Sequence, residues 1–146
     1  MTGRGARGLV ECVARVASSL FALAFVVPAV FVLLPLPGLG GEAMASAGGG
    51  DGVLASLPAF ALALALSVVV RAVASGSASD AVLAAFSMPC LFAGAWGAFA
   101  VARDSPAVVA WAGLASFVAG VLLGVVVLAD AVLERIAAGR ASQDAR

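Results

Sequence analysis

The sequence predicts an all-α integral membrane protein, a four-helix bundle that forms one domain over residues 1–146. The chain is 64% hydrophobic with a mean hydropathy of +1.17, so four spans leave no room for a separate soluble domain. About 20 helical residues cross a hydrocarbon core about 30 Å thick, and a helix satisfies its own backbone polar groups. Four apolar runs of this length contain no charged residue: Val16–Leu34, Gly52–Val70, Ala81–Ala102 and Pro106–Ala129.

The first span is predicted over residues 16–36, as an uncleaved signal anchor. Three arginines precede its apolar run, as basic residues precede the apolar region of a secretory signal. The run is longer than the about 7–15 apolar residues of such a signal, and the small-residue site at Ala45–Ala47 lies well beyond its end. Cleavage at this site is the alternative.

The other three spans are predicted from the remaining apolar runs. Between the first two spans, residues 37–52 are rich in glycine and proline, which do not continue a helix, so we expect a flexible outer loop there. The predicted spans cover residues 53–74, 81–102 and 106–130.

Turn and capping residues support these boundaries. Residues 75–79 read as a short inner turn, after which Asp80 is expected to accept hydrogen bonds from the first free amides of the third helix. Ser105 and Pro106 suit a helix start, because serine caps the helix and proline at the first helical position loses no needed donor.

The placement of arginine predicts that both termini are cytoplasmic, and we expect the protein to lie in the plasma membrane. Excess arginine near the ends of spans is held on the cytoplasmic side. With a cytoplasmic N-terminus, only Arg103 lies outside. The arginines on the inner side are Arg4, Arg7, Arg15, Arg71, Arg135, Arg140 and Arg146.

The charged residues argue against a nucleic acid as a partner. All eight basic residues are arginine, and lysine, histidine, asparagine and tyrosine are missing from the chain. We attribute this composition to a GC-rich genome, since the codons for lysine, asparagine and tyrosine are rich in A and T. A net charge of zero argues against nucleic-acid binding, which needs a basic face.

Small residues in the third and fourth spans are candidates for helix packing. Inside lipid, small residues allow the close backbone approach that drives helix association. The short turn at 103–105 makes these two helices antiparallel neighbours and would bring Gly97 level with Ala112. Whether the contact lies within one chain or between copies is left open. The candidates recur at four-residue spacing: Ala112, Ser116, Gly120 and Gly124, with Ala93 and Gly97.

Two prolines near the middle of their spans are candidates for helix kinks. Pro28 and Pro89 each remove a backbone N–H and so free the carbonyl one turn earlier, at Ala24 and Ala85. A structural kink is the preferred interpretation. Coordination of an ion or substrate by the freed carbonyls is the alternative.

Arg71 and Asp130 are candidates for an interfacial ion pair. They lie at the inner ends of the second and fourth spans, at similar depth, and both are close enough to the interface to snorkel. A pair there would fix the rotation of the two helices. The alternative is a gate or proton relay, because ionisable residues inside a membrane often mark a pathway.

Trp96 and Trp111 are predicted to lie beside each other near the outer surface. Tryptophan favours the interface between lipid and headgroups, so anchoring is the preferred role. An aromatic clamp on a ligand is the alternative.

The sequence contains no pattern typical of an enzyme or of a cofactor site. It has no histidine, and its two cysteines, Cys12 and Cys90, are placed at different depths, which argues against a metal centre. No motif positions a nucleophile beside a base. We therefore expect no catalysis and no cofactor.

Two functional hypotheses remain. The leading one is a noncatalytic membrane subunit, scaffold or assembly partner that associates with the lipid bilayer and with another membrane protein. The rival is a small homo-oligomeric transporter or channel. Its pathway would run between protomers and be lined by Ser67, Ser87, Ser116 and the carbonyls freed by proline.

Overall fold

A computed structural model describes residues 2–33, 50–103 and 106–145, which are almost entirely α-helical and include no strand. Four of its helical segments are long and apolar enough to cross a membrane, the third being interrupted once. The predicted all-α membrane bundle is therefore confirmed. The helices are α1 (Thr2–Leu33), α2 (Gly50–Ser75), α3 (Ala78–Phe86), α4 (Met88–Ala102) and α5 (Pro106–Asp144).

The central position in the bundle belongs to α2 and α5. These two helices contact each other, and each also contacts α1 and α4, so α1 and α4 lie on opposite sides of the α2–α5 pair. Apolar side chains fill the space between them, including the fully buried Phe25, Leu64, Val68 and Val127. The centre of the bundle is thus a packed apolar core.

The small-residue face of α5 packs against α1. A methyl group at Gly120 would lie 2.6 Å from the ring of Phe25, and one at Gly124 would lie 3.1 Å from the carbonyl oxygen of Ala22. The structure thus places both glycines at a contact within the chain, and the partner is the first span. A methyl group at Gly120 would require the Phe25 ring to move, whereas one at Gly124 would require its neighbours to shift by only a few tenths of an ångström.

The contact between α4 and its neighbours also depends on a glycine. A methyl group at Gly97 would overlap the ring of Pro58 on α2 and would lie 3.5 Å from the Cβ of Ala112 on α5. Gly97 and Ala112 are therefore at the same level, with Ala112 fully buried. Of the other packing candidates, Ser116 is buried and Ala93 is half-buried.

Several helix ends differ from the predicted spans, and α3 begins at Ala78, within the predicted inner turn. The second helix begins at Gly50, so residues 50–52, predicted to belong to the outer loop, are helical. Residues 34–49, which hold the rest of that loop and the end of the first span, lie outside the described residues. The first and last helices, α1 and α5, continue well beyond their predicted spans, to Thr2 and Asp144. Hydropathy marks the apolar part of a helix, whereas its hydrogen bonds continue into the polar part.

The two central prolines have different surroundings. The first helix is continuous through Pro28. The third span is interrupted at Ser87, where the N–H donates to the carbonyls of both Leu83 and Ala84, and Pro89 follows in the first turn of α4. Pro89 therefore lies at a helix break, and Pro28 lies within an unbroken helix.

Substitution of Gly120 by alanine should destabilise the bundle. The new methyl group would meet the buried ring of Phe25, and overpacking of this kind costs about 1–3 kcal/mol. Gly139→Ala is the matched control, because a methyl group there meets nothing within 4 Å. Thermal unfolding in detergent should show a lower midpoint for G120A only. Equal midpoints for the two variants would contradict the α1–α5 contact.

Candidate functional site

A buried arginine lies at one end of the bundle. The side chain of Arg71, in the last turns of α2, is only 4% exposed. Its Nη2 lies 2.7 Å from Oδ1 of Asp80 on α3 and donates a hydrogen bond of 2.6 Å to Oδ2 of Asp130 on α5. One guanidinium therefore joins two carboxylates from different helices.

The turn between α2 and α3 places Asp80 beside Arg71. Gly76 ends α2 with a φ of 63°, a conformation that favours glycine, and its N–H donates to the carbonyl of Ala72. The hydroxyl of Ser77 caps α3 by accepting from the N–H of Asp80 at 3.2 Å. The expectation that Asp80 itself caps this helix is thus wrong. Because Ser77 supplies the cap, the carboxylate of Asp80 points into the bundle.

Glu134 extends this arrangement to the first helix. Its Oε1 lies 3.4 Å from Nη2 of Arg71, and its Oε2 accepts from Nη1 of Arg15 on α1 at 2.7 Å. Arg15 also contacts Glu11, one turn earlier on α1, at 3.0 Å. All four spans thus contribute to one ion cluster, which consists of Glu11, Arg15, Arg71, Asp80, Asp130 and Glu134.

Burial divides the ion cluster into an inner and an outer part. Asp80 is 2% exposed and Asp130 is 24% exposed, whereas the side chains of Arg15 and Glu134 are 40% and 44% exposed. Exposed ion pairs are screened by solvent and contribute little. A buried charge is costly unless it is paired, so the inner contacts of Arg71 dominate the energetics.

The sequence pointed to part of this cluster. Arg71 and Asp130 were predicted as a pair, and the structure places their side chains 2.6 Å apart. The side chain of Arg71 is enclosed by the bundle. Asp80 and Glu134 were not predicted. Their positions in the sequence could have indicated both residues. Asp80 follows Arg71 across a tight turn, and Glu134 lies one helical turn after Asp130.

The chemistry available to the ion cluster is electrostatic. The described residues include no group of three or more histidine, cysteine, aspartate or glutamate side chains that could hold a metal ion. The inner carboxylates have arginine as their charged partner. The arrangement is suited to holding helices in register.

Of the serines proposed to line a pathway, Ser87 and Ser116 are buried and Ser67 is half-buried. The hydroxyls of Ser67 and Ser87 donate to carbonyls of their own helices at 2.7 and 2.6 Å. Ser116 is fully buried, and its hydroxyl has no hydrogen-bond partner among the described residues. Because Ser87 and Ser116 lie inside the bundle, they are not placed to line a pathway between protomers.

A cluster of exposed aromatic side chains covers the α4 side of the bundle. Phe92, Trp96 and Phe99 recur on one face of α4, and all three side chains are exposed, as is Trp111 on α5. The three exposed side chains on α4 form what we call the aromatic face. At the end of α4 away from the ion cluster, the guanidinium of Arg103 lies 4.8 Å from the ring centroid of Phe99.

Comparison with known proteins gives no match: no family model, no curated protein and no solved structure is similar to this chain. Function therefore has to follow from the ion cluster and the aromatic face.

Replacement of Arg71 by methionine should strongly destabilise the bundle. The change removes the cation beside Asp80 and leaves a buried carboxylate without its charged partner, which costs about 3–5 kcal/mol. The control is Arg103→Met, because Arg103 is exposed at the other end of the bundle. Unfolding in detergent should show a large loss for R71M and a small one for R103M. Similar losses for both would mean that the ion cluster does not stabilise the fold.

Proposed function

We propose that the protein is a noncatalytic membrane subunit, a scaffold or assembly partner that binds another membrane protein. It would lie in the plasma membrane with both termini in the cytoplasm, as the arginine distribution indicates. The observation that carries this proposal is the aromatic face, which would receive a transmembrane helix of the partner.

The distribution of exposed aromatic residues supports this role. The exposed face of α1 carries aliphatic residues such as Leu20, Leu23 and Val27, whereas the exposed face of α4 carries phenylalanine and tryptophan. Interfacial anchoring accounts for tryptophans near the end of a span. It does not account for Phe92, about 16 Å along the helix from Arg103 and thus near mid-bilayer. Aromatic side chains are enriched at protein interfaces and dominate their binding energy.

The packing of the bundle also supports a scaffold. The centre is filled by apolar side chains, and the ion cluster joins all four spans at one end. Such a bundle presents its outer surface in a fixed geometry. A fixed surface lowers the cost of ordering side chains when a partner binds.

The alternative is a small homo-oligomeric transporter or channel. One observation favours it: the ion cluster contains charged groups buried in a span, and such groups often mark ion pathways. In that case copies of the chain would associate with one another, and no other protein would be needed.

Substitution across the aromatic face should release the partner. We would purify the tagged protein in mild detergent and compare F92L/W96L/F99L with L20F/L23F/V27F, which changes three exposed apolar residues on α1. Both variants keep apolar side chains in the spans, so both should insert. We expect a membrane protein in fixed stoichiometry with the wild type and the α1 variant, and its loss from the aromatic-face variant.

Two results would contradict the proposal. Equal recovery of the companion with both variants would show that the aromatic face does not bind it. A homo-oligomer without a companion, measured by sizing and mass spectrometry, would favour the transporter hypothesis and lead to flux assays in liposomes.

A further inference from the structure

Two helices extend beyond the rest of the bundle at the end that holds the ion cluster. The contact between Arg15 and Glu134 places these residues of α1 and α5 at one level. From there α1 runs back to Thr2 and α5 runs on to Asp144, about 20 and 15 Å respectively at 1.5 Å per residue. Residues 2–14 and 135–144 form what we call the projecting segments.

In each projecting segment, the part nearest to the bundle exposes apolar side chains. On α1, Leu9, Val10 and Val13 are exposed, and on α5 Ile136 is exposed one turn after the exposed Val132. Successive residues of a helix are about 100° apart, so Leu9 and Val10 point to different sides of α1. An environment that surrounds the segments would cover all of these residues, whereas a protein docked on one side would cover only some.

Three arginines in the same segments have no charged partner among the described side chains. Arg7, Arg135 and Arg140 are exposed, and none makes an ion pair with any described side chain. By contrast, the arginines of the ion cluster are paired within the protein. The projecting segments therefore combine exposed apolar groups with free guanidinium groups, as helices at a membrane surface do.

We propose that the projecting segments bind the phosphate groups of anionic lipids. The exposed apolar side chains lie at the boundary between acyl chains and headgroups, and the guanidinium groups of Arg7, Arg135 and Arg140 contact headgroup phosphates. Arginine suits this contact because its planar group donates two parallel hydrogen bonds to a phosphate. Basic residues next to a span are attracted to an anionic leaflet in the same way.

The occupant is a lipid surface because the fold itself places the segments there. Each one directly continues a membrane-spanning helix. Arg135 immediately follows Glu134, which belongs to the outer part of the ion cluster, and Arg140 lies about 8 Å further along α5. Long arginine side chains at these heights can reach the headgroup layer. This lipid site is independent of the aromatic face and of the partner proposed for it.

The test measures lipid preference by native mass spectrometry. The full-length protein would be extracted from vesicles of mixed phosphatidylglycerol and phosphatidylcholine, and the ratio of the two retained lipids determined. We expect enrichment of phosphatidylglycerol. A change of Arg135→Gln should lower the enrichment about five-fold, since one basic residue near the surface contributes about 1 kcal/mol. The triple variant R7Q/R135Q/R140Q should lose nearly all of it. R103Q should behave as the wild type, because the guanidinium of Arg103 lies over the ring of Phe99 within the protein.

Three outcomes would overturn the proposal. The wild type could retain both lipids in the ratio of the vesicle. R103Q could lower the enrichment as much as R135Q, which would place the lipid contact elsewhere. The triple variant could keep the enrichment, which would show that these three arginines do not select the lipid. All these substitutions are at exposed positions, and sizing in detergent checks that each variant is folded.

Discussion

The guanidinium group of Arg71 sets the arrangement of the helices at one end of the bundle. It is enclosed by protein and contacts carboxylates from α3 and α5, and Glu134 continues the ion cluster to α1. Lipid provides no hydrophobic force between helices, so directional polar contacts and close packing must determine their rotation. A buried charge adds a strict condition, because each arrangement that leaves it unpaired is costly. The rotation of α2, which contacts every other span, is thereby restricted.

Glycine allows the helices to pack closely in the arrangement that keeps Arg71 paired. At Gly120 the backbone of α5 approaches the ring of Phe25, and at Gly97 the backbone of α4 approaches Pro58. Both contacts lie well away from the ion cluster along the helices. The bundle is therefore held by charge at one end and by close backbone approach along its length, which leaves its outer apolar surface free to contact lipid or another protein.

The sequence predicts insertion into the membrane more fully than it predicts which helix faces contact each other. The four spans follow from the sequence because each charge-free run is long enough to cross the hydrocarbon core and is too apolar to be stable in water. Gly120 and Gly124 could be recognised as packing residues, yet their partner is α1, and hydropathy does not report helix rotation. Asp80 looked like a helix cap because it follows a turn. The nearby Ser77 takes that role, and only the folded turn shows that the carboxylate of Asp80 meets Arg71.

The measurement that tests the central role of Arg71 most directly is a double-mutant cycle with Asp80. The free energy of unfolding in detergent would be measured for R71M, D80N and the double variant. If the two charges stabilise each other, removal of both should cost less than the sum of the single losses, by about 0.5–3 kcal/mol. Additive losses would contradict the account, because Arg71 and Asp80 would then contribute independently to the stability of the bundle.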